Sequence, residues 1–464
     1  MATADCITRG REAFARLAWT DACVQLETAD RDQPLEPDDL QRLATALYLT
    51  GREDESAEVW ARAHQAFLRL GHIDRAARCA FWLAAGLQEH RDHRARALAW
   101  VLRAQRMLDE SQAQCVEHGY LQLSIAFDTL FKGDMAGAYA QFVDATTIGE
   151  RFGDSDLIAL GRHSLGRVLI RMGQLQEGVR LLDEAMVAVD AGEVSTIVMG
   201  DVYCSVIEGC LEIFDLRRAQ EWTAALTRWC DSQPGLVPYS GQCLVRRAEL
   251  LQLHGAWTDA SAAAANACER LLQRGHPACG AAFYQSGELH RLRGELKDAE
   301  EAYRSASRYG RKPQPGLALL RLAQGQADAA ATAIRLAIDE TRSGPARSRL
   351  LAAYVEIMLT VGDIPAARAA ADELAGLADD LNAAVLQAMA AEARGAVLLK
   401  DGDARAALNV LRQAWTIWQG IEAPYEAARV RVVIGLAYRA LDDRDAAEME
   451  LDAARWIFAD LGAG

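Results

Sequence analysis

A spaced set of small residues recurs about every 40 positions along this chain, and it constrains the fold more than any other feature. The cleanest copy, GELHRLRGELKDAEEAYRSA, runs from Gly287 to Ala306. It has a central glycine, Gly294, with a small residue seven positions before it and others five and twelve positions after it. Small residues at these positions let two antiparallel helices cross with their backbones close together. Because glycine readily adopts the left-handed conformation that ends a helix, each copy is predicted to be a helical hairpin.

The same frame recurs eleven times along the chain. Turn residues are predicted at Gly51, Asp92, Gly133, Gly173, Asp215, Gly255, Gly294, Gly325, Gly362, Gly402 and Asp442. One hairpin cannot bury its apolar face alone, so successive copies must stack on each other. The frame therefore predicts an all-α, tetratricopeptide-like solenoid of about eleven helical hairpins forming a right-handed superhelix. Residues 1–464 are expected to form a single repeat array, with a soft division near residues 310–316.

The copy around Asp215 departs from this frame. Glu208, Gln220 and Thr227 stand where the other copies have mostly glycine or alanine. A carboxylate buried at a helix crossing costs several kcal/mol unless it is paired. One interpretation is that this copy is deformed and opens a cavity with Glu208 inside it.

A second interpretation of this copy is a turn that comes one residue early. Ala219 then takes the place of Gln220, and Glu208 turns away from the crossing to pair with Arg217 or Arg218. The segment DSQPGLVPYSGQ, residues 231–242, follows this copy and contains two prolines and two glycines. Such a segment is predicted to be a loop that projects beyond the stack.

Charge and cysteine content restrict the possible partners and compartment. The formal net charge of −15 repels nucleic-acid phosphates, so no direct nucleic-acid binding is expected. The ten cysteines include no CxxC motif and are expected to be free thiols in a reducing compartment. No apolar run approaches the roughly 18–20 residues of a membrane helix. A cytoplasmic protein without membrane contact is therefore expected.

Residues 193–257, EVSTIVMGDVYCSVIEGCLEIFDLRRAQEWTAALTRWCDSQPGLVPYSGQCLVRRAELLQLHGAW, resemble the tetratricopeptide sensor region of large LuxR-type (MalT-like) bacterial transcription regulators. The resemblance implies a module that receives a signal through a small ligand or a protein partner. In that family the region precedes a helix-turn-helix, and some members carry an ATPase. Here the sequence ends at LDAARWIFADLGAG and contains no GxxxxGK[ST] motif. An excised sensor region and a natural protein without the DNA-binding part are both compatible with this pattern.

Polar residues on the predicted first helices are the candidate binding residues. No GxSxG or HExxH motif occurs, and His90 and His93 flank a predicted turn, so no metal or cofactor is expected. A small polar ligand or an extended peptide is predicted to contact a set of tyrosines, arginines and carboxylates with one histidine and one glutamine: His163, Arg167, Tyr203, Glu208, Gln242, Arg246, Tyr284 and Glu288. Alternatives are an enzyme using Glu208, Tyr203, Tyr284 and Glu288 as acid–base groups, and a pure protein–protein scaffold.

Overall fold

The computed structural model describes residues 2–88, 93–112, 114–233, 235–272, 278–341 and 345–464. Over these residues the chain forms 24 α-helices and no strand, which confirms the all-α prediction. None of the helices in this part of the chain is both long enough and apolar enough to cross a membrane. The helices are α1 (Ala2–Ala15), α2 (Trp19–Asp32), α3 (Pro37–Leu49), α4 (Glu53–Arg69), α5 (Ile73–Gln88), α6 (Arg94–Ser111), α7 (Glu117–Phe131), α8 (Met135–Phe152), α9 (Ser155–Arg171), α10 (Leu175–Asp190), α11 (Thr196–Glu212), α12 (Leu216–Asp231), α13 (Pro238–Leu253), α14 (Trp257–Leu272), α15 (Cys279–Leu292), α16 (Leu296–Arg308), α17 (Gly316–Ala323), α18 (Ala327–Glu340), α19 (Pro345–Val361), α20 (Ile364–Leu381), α21 (Ala384–Lys400), α22 (Ala404–Gly420), α23 (Pro424–Ala440) and α24 (Arg444–Leu461).

The helices pair into hairpins as the small-residue frame predicts. Nine of the predicted turn residues have a left-handed φ, from 62° at Asp442 to 90° at Gly133 and Gly402. At the crossing of α9 and α10, a Cβ atom on Gly178 would lie 2.8 Å from the carbonyl oxygen of Gly166. The helix backbones therefore approach closely enough that no larger residue fits there. The predicted turn at Asp92 lies outside the described residues.

A twelfth hairpin, formed by α1 and α2, precedes the eleven that the sequence predicts. Leu17 occupies its turn with a φ of 60°. Ala22 and Ala29, five and twelve positions later, are completely buried, and Gly10, seven positions earlier, packs against Leu26. This hairpin follows the same frame, but its turn residue is leucine. The frame predicted from the sequence has only glycine or aspartate at the turn and therefore does not include it.

In the irregular copy, the left-handed turn residue is Phe214, with a φ of 60°, and not the predicted Asp215. The whole frame moves one residue towards the N-terminus, so Ile207, Ala219 and Leu226 are the buried crossing residues, each at most 1% exposed. The Glu208 side chain is 42% exposed. The early turn with Ala219 at the crossing is therefore correct, and the interpretation with Glu208 in a buried cavity is wrong.

The chain divides into two compact units. The first unit comprises Met1–Gly209 and Glu221–Cys243, and the second comprises Cys210–Gln220 and Leu244–Gly464. The turn of the irregular copy thus belongs to the second unit, while most of α11 and α12 belongs to the first. Residues 310–316, where a soft division is predicted, lie inside the second unit.

In the first unit, the segment after α12 folds back onto the first hairpins. The backbone N–H of Val237 donates to the carbonyl oxygen of Leu49 at 2.9 Å, and Trp19 Nε1 donates to Gln233 Oε1 at 3.1 Å. Leu236, which lies between Gln233 and Val237 in the sequence, is buried. The prediction that residues 231–242 project from the stack is therefore wrong, because this segment packs on the beginning of its own unit.

The second unit also closes on itself. The ring of Tyr425 on α23 packs against those of Trp257 on α14 and Phe458 on α24, with centroid distances of 5.3 and 5.5 Å. The backbone N–H of Gly464 donates to the carbonyl oxygen of Leu292 at 3.2 Å. The last hairpin of this unit therefore packs against the region where the unit begins.

Candidate functional site

Each unit has an inner face, which we define as the surface formed by its odd-numbered helices. The substantial contacts between alternate helices in the described chain all join odd-numbered ones, such as α5 with α7 and α19 with α21. When the first helices of neighbouring hairpins approach more closely than the second helices, the stack curves towards the first helices. Curvature of this kind is what gives repeat proteins their concave binding surfaces.

On the inner face of the first unit, Arg78 joins three consecutive hairpins. Its Nη2 atom lies 3.1 Å from Glu117 Oε1 and 3.2 Å from Asp154 Oδ2, and its guanidinium stacks 3.7 Å from the centre of the Tyr120 ring. The Tyr120 hydroxyl donates to Asp154 Oδ1 at 2.7 Å. Burial raises the pKa of Asp156, next to this cluster, even though its carboxylate accepts from the backbone N–H of Ser195.

Further along the same face, three of the predicted binding residues, His163, Arg167 and Glu208, lie close together. His163 is buried, and its Nδ1 lies 2.9 Å from the Ser205 hydroxyl. Arg167 Nη1 donates to the Ser205 carbonyl oxygen at 2.8 Å and lies 3.5 Å from Glu208 Oε2. Glu208 thus contacts an arginine of the preceding hairpin. Arg218, one of its two predicted partners, pairs with Asp215 at 2.5 Å. These contacts attach α11 to α9.

Tyr203 and Gln242, the other two predicted residues of the first unit, lie on α11 and α13. The Tyr203 side chain is buried, and its ring packs against that of Trp229 at 5.9 Å. Burial raises the pKa of the Tyr203 hydroxyl, which makes it a weaker acid than a free tyrosine. Gln242 stands near the end of the first unit.

Arg246, Tyr284 and Glu288 belong to the second unit. Arg246 pairs with Glu249 one helical turn later, at 3.0 Å. The Glu288 carboxylate accepts from the Tyr303 hydroxyl at 2.5 Å and from Arg291 at 2.7 Å.

The Tyr284 hydroxyl takes part in the same packing, because it accepts the backbone N–H of Gly316 at 3.3 Å. Tyr284 and Glu288 therefore connect α15 to α16 and to the start of α17. Their hydroxyl and carboxylate already have protein partners, so these contacts give no specific support to an acid–base role, and that role stays a prediction.

A charged cluster on the inner face of the second unit was missed by sequence reasoning. The Arg429 guanidinium lies 2.7 Å from Glu356, 3.4 Å from Glu426 and 3.5 Å from Glu392. Three carboxylates from α19, α21 and α23 thus share one positive charge. The signal in the sequence is weak: Glu356 and Glu392 each interrupt a stretch of mostly apolar and small residues on a first helix, and nothing in the repeat frame brings the two together.

His290, Glu295 and Asp298 are the group of possible metal ligands within the described residues. One ligand atom from each lies within 4.8 Å of the others. His290 Nδ1 lies 2.5 Å from Glu295 Oε2, and Glu295 and Asp298 are exposed. A surface hydrogen bond between His290 and Glu295 explains why these two residues are close without a metal. Of the histidine pair that flanks the predicted turn, His90 lies outside the described residues.

Comparisons with known proteins identify the fold and no closer relationship. No protein-family model matches this chain, and no curated protein matches it. Among solved structures it is similar to the APC/C hetero-tetramer Cut9–Hcn1, with 15% identity over 98% of this chain and 87% of that chain and a TM-score of 0.50. BtubC from P. vanneervenii covers 46% of this chain and 92% of its own, with 19% identity and a TM-score of 0.32.

The apo form of RapI covers 67% of this chain and 98% of its own, with 13% identity and a TM-score of 0.32. The likeness to the Cut9–Hcn1 structure is at the level of the fold alone, because the identity is low. The two matches with a TM-score of 0.32 are too distant to support an argument. The fold is that of a tetratricopeptide-like helical-repeat protein.

Proposed function

We propose that this chain is a binding module that recognises a protein or peptide partner carrying basic side chains on the inner face of its second unit. The observation that carries this proposal is the sharing of Arg429 by Glu356, Glu392 and Glu426. One guanidinium cannot compensate the negative charges of both Glu356 and Glu426. Glu356 is 42% exposed and Glu426 is 29% exposed, so both are accessible to a partner. An arginine or lysine side chain supplies the missing positive charge.

The fold supports the same conclusion. Stacked helical repeats present a continuous concave surface, and such a surface suits an extended segment of another protein better than a compact ligand. The carboxylates of the cluster come from three successive hairpins, α19–α20, α21–α22 and α23–α24. A basic segment lying across these hairpins can therefore contact all three.

The resemblance of residues 193–257 to LuxR-type sensor regions supports a finer proposal, that partner binding here is signal reception for transcription regulation. A small polar ligand held by His163, Arg167 and Glu208 is the second candidate. That site already contains mutually paired groups, so a ligand there must exchange with the contact between Arg167 and Glu208. A ligand retained through purification and detected by native mass spectrometry would favour this second candidate.

The test is a binding screen of the full chain against an array of short random peptides. Bound peptides are expected to be enriched in arginine and lysine. The double variant Glu356→Gln/Glu426→Gln is expected to bind them about 10-fold more weakly, because about 1.5–3 kcal/mol is typical for hydrogen bonds to charged groups. Glu177→Gln/Glu301→Gln, which removes two exposed carboxylates on α10 and α16 and changes the net charge equally, serves as the matched control and is expected to bind normally.

Two results would contradict the proposal. One is enrichment of acidic or uncharged peptides by the unmodified chain. The other is equal loss of binding in the Glu356→Gln/Glu426→Gln variant and in the Glu177→Gln/Glu301→Gln control, which would mean that only the total charge matters.

A further inference from the structure

A cavity of about 340 Å³ opens on the inner face of the first unit, and no part of the proposed function uses it. Helices α3, α4, α5 and α7 line it with Gln41, Thr45, Trp60, Arg75, Arg78, Trp82 and Glu117. Its volume falls within the roughly 300–1,000 Å³ that is common for small-molecule sites. All of these residues belong to the first unit.

The two tryptophans of the cavity have unused hydrogen-bond donors. Trp60 is only 6% exposed and Trp82 is partly buried. Neither indole N–H has an acceptor among the described residues. Indole nitrogen can only donate, so each of these N–H groups can be satisfied by an acceptor on a bound molecule. Both tryptophans line the cavity, which makes their N–H groups candidate donors to a ligand there.

Arg75 is fixed at the same cavity with part of its guanidinium free. Its Nη2 atom donates to Asp38 at 2.5 Å and to Gln41 at 2.6 Å, and its guanidinium lies 4.4 Å from the centre of the Phe67 ring. Nε and Nη1 of Arg75 have no acceptor in the part of the chain that the structure describes. These contacts orient Arg75 and leave N–H groups for a ligand. A guanidinium held in this way is well suited to bind a carboxylate.

Two arginines, Arg75 and Arg78, line the cavity, and neighbouring carboxylates balance their charge. Arg78 is already engaged by Glu117 and Asp154, so Arg75 is the arginine available to a ligand.

We infer that this cavity binds a small organic carboxylate with a flat apolar body. Arg75 and the indole N–H groups donate to the carboxylate, and the indole rings pack against the apolar part. A free acid and the C-terminal residue of a peptide share this chemistry. This inference does not depend on the binding of basic peptides by the second unit.

Isothermal titration calorimetry of the full chain tests the inference with three probes of the same shape: phenylacetate, phenylacetamide and 2-phenylethylamine. The acid is expected to bind, the amide to bind several-fold more weakly, and the amine to give no heat of binding.

A short peptide ending in phenylalanine, compared with its C-terminal amide, identifies the source of the carboxylate. Tighter binding of the free peptide than of phenylacetate indicates a peptide end, and weaker binding indicates a free acid.

Substitutions locate the site. Arg75→Gln is expected to weaken phenylacetate binding at least about 10-fold, as expected for loss of a charged donor. Trp82→Phe keeps an aromatic ring but removes the N–H, and it is expected to weaken binding by roughly 3–10-fold. Arg180→Gln, on the exposed side of α10 where it pairs with Glu177 and Glu184, is the control and should bind normally. Thermal unfolding of each variant checks that it is folded.

Several results would overturn the inference. They are the absence of phenylacetate binding at millimolar concentration, binding of the amine as tightly as the acid, and equal affinity of Arg75→Gln and Arg180→Gln. The Glu356→Gln/Glu426→Gln variant should bind phenylacetate normally. Failure of this inference and failure of the peptide-binding proposal can therefore be told apart.

Discussion

At Glu392 on α21, burial and the positive charge of Arg429 shift the pKa in opposite directions. Its side chain is 16% exposed and lies 3.5 Å from Arg429. Burial is the main reason that the pKa of Glu392 is raised to about 7, and the neighbouring Glu426 and Glu356 add to this effect. The positive charge of Arg429 lowers the pKa but does not cancel the shift. Part of the population therefore carries a proton on Glu392 near neutral pH.

Replacing this carboxyl group should change how stability depends on pH. A glutamate has a pKa of about 4.3 in an unfolded chain, so the folded protein binds the proton more tightly. The stabilisation from this proton is complete below about pH 4 and is lost as the pH rises through about 7. Glu392→Gln avoids the loss and is expected to be more stable than the unmodified chain at pH 8 by on the order of 4 kcal/mol, with little difference at pH 4.

Urea unfolding of both proteins at several pH values measures this difference. The comparison must be between the two proteins, because the lowered pKa values of groups such as Asp39 and Glu373 give the chain an opposite pH dependence of its own. Glu301→Gln, at an exposed position on α16, is the control and should show no pH-dependent difference. A constant difference between Glu392→Gln and the unmodified chain at all pH values would contradict the prediction.

At the scale of the elements, two hairpin turns have the same left-handed backbone conformation, but their side chains differ in burial. Leu17 and Phe214 both adopt a φ of 60° where most hairpins have glycine. For a residue with a side chain, this conformation costs about 1–2 kcal/mol. Leu17 is 41% exposed, whereas Phe214 is 6% exposed and packs in a core cluster of the second unit, with Arg349 placed 5.3 Å from its ring centre.

Glycine at these two turns should therefore have different effects. In Leu17→Gly, relief of the backbone strain and the greater freedom of the unfolded chain nearly cancel, so stability should change by less than about 1 kcal/mol. In Phe214→Gly, the loss of a buried aromatic ring outweighs the same relief and should lower stability by about 2–4 kcal/mol. Urea unfolding of the two variants gives both values. Equal effects would show that the Phe214 ring contributes no packing energy and that the early turn has another cause.

At the scale of the whole molecule, the sequence predicts the features that depend on neighbouring residues and misses those that depend on distant ones. The turns and the helix crossings are predictable because only small residues permit them, as Gly166 and Gly178 show. The hydrogen bond between Val237 and Leu49 joins residues far apart in the chain, and no local pattern indicates it.

The candidate site follows the same rule. Arg167 and Glu208 are predictable as one site because they lie on the first helices of adjacent hairpins. The sharing of Arg429 by carboxylates of three hairpins depends on how those hairpins curve, and the repeat frame does not specify curvature. The cavity beside Arg75 is also missed, because Trp60, on a second helix, fits the pattern of a packing residue and nothing in the repeat frame marks it as lining a cavity.

The net charge of −15 leads to a prediction for the whole chain. Contacts with DNA phosphates require clustered positive charge, and this chain has 50 lysines and arginines against 65 aspartates and glutamates. The arginines of the two inner faces considered above, such as Arg78 and Arg429, are paired with carboxylates. The chain is therefore expected not to bind duplex DNA, even at low salt where electrostatic attraction is strongest.

Fluorescence anisotropy of a labelled duplex, titrated with the chain at low and at moderate salt, measures DNA binding. A labelled arginine-rich peptide in the same buffers is the matched probe and should bind, with an affinity that falls as salt is added. DNA binding that weakens steeply with salt would contradict the prediction and would show a basic surface large enough to act against the net charge. If the peptide binds and the DNA does not, positive charge on the partner, and not a basic surface on this chain, is what recognition requires.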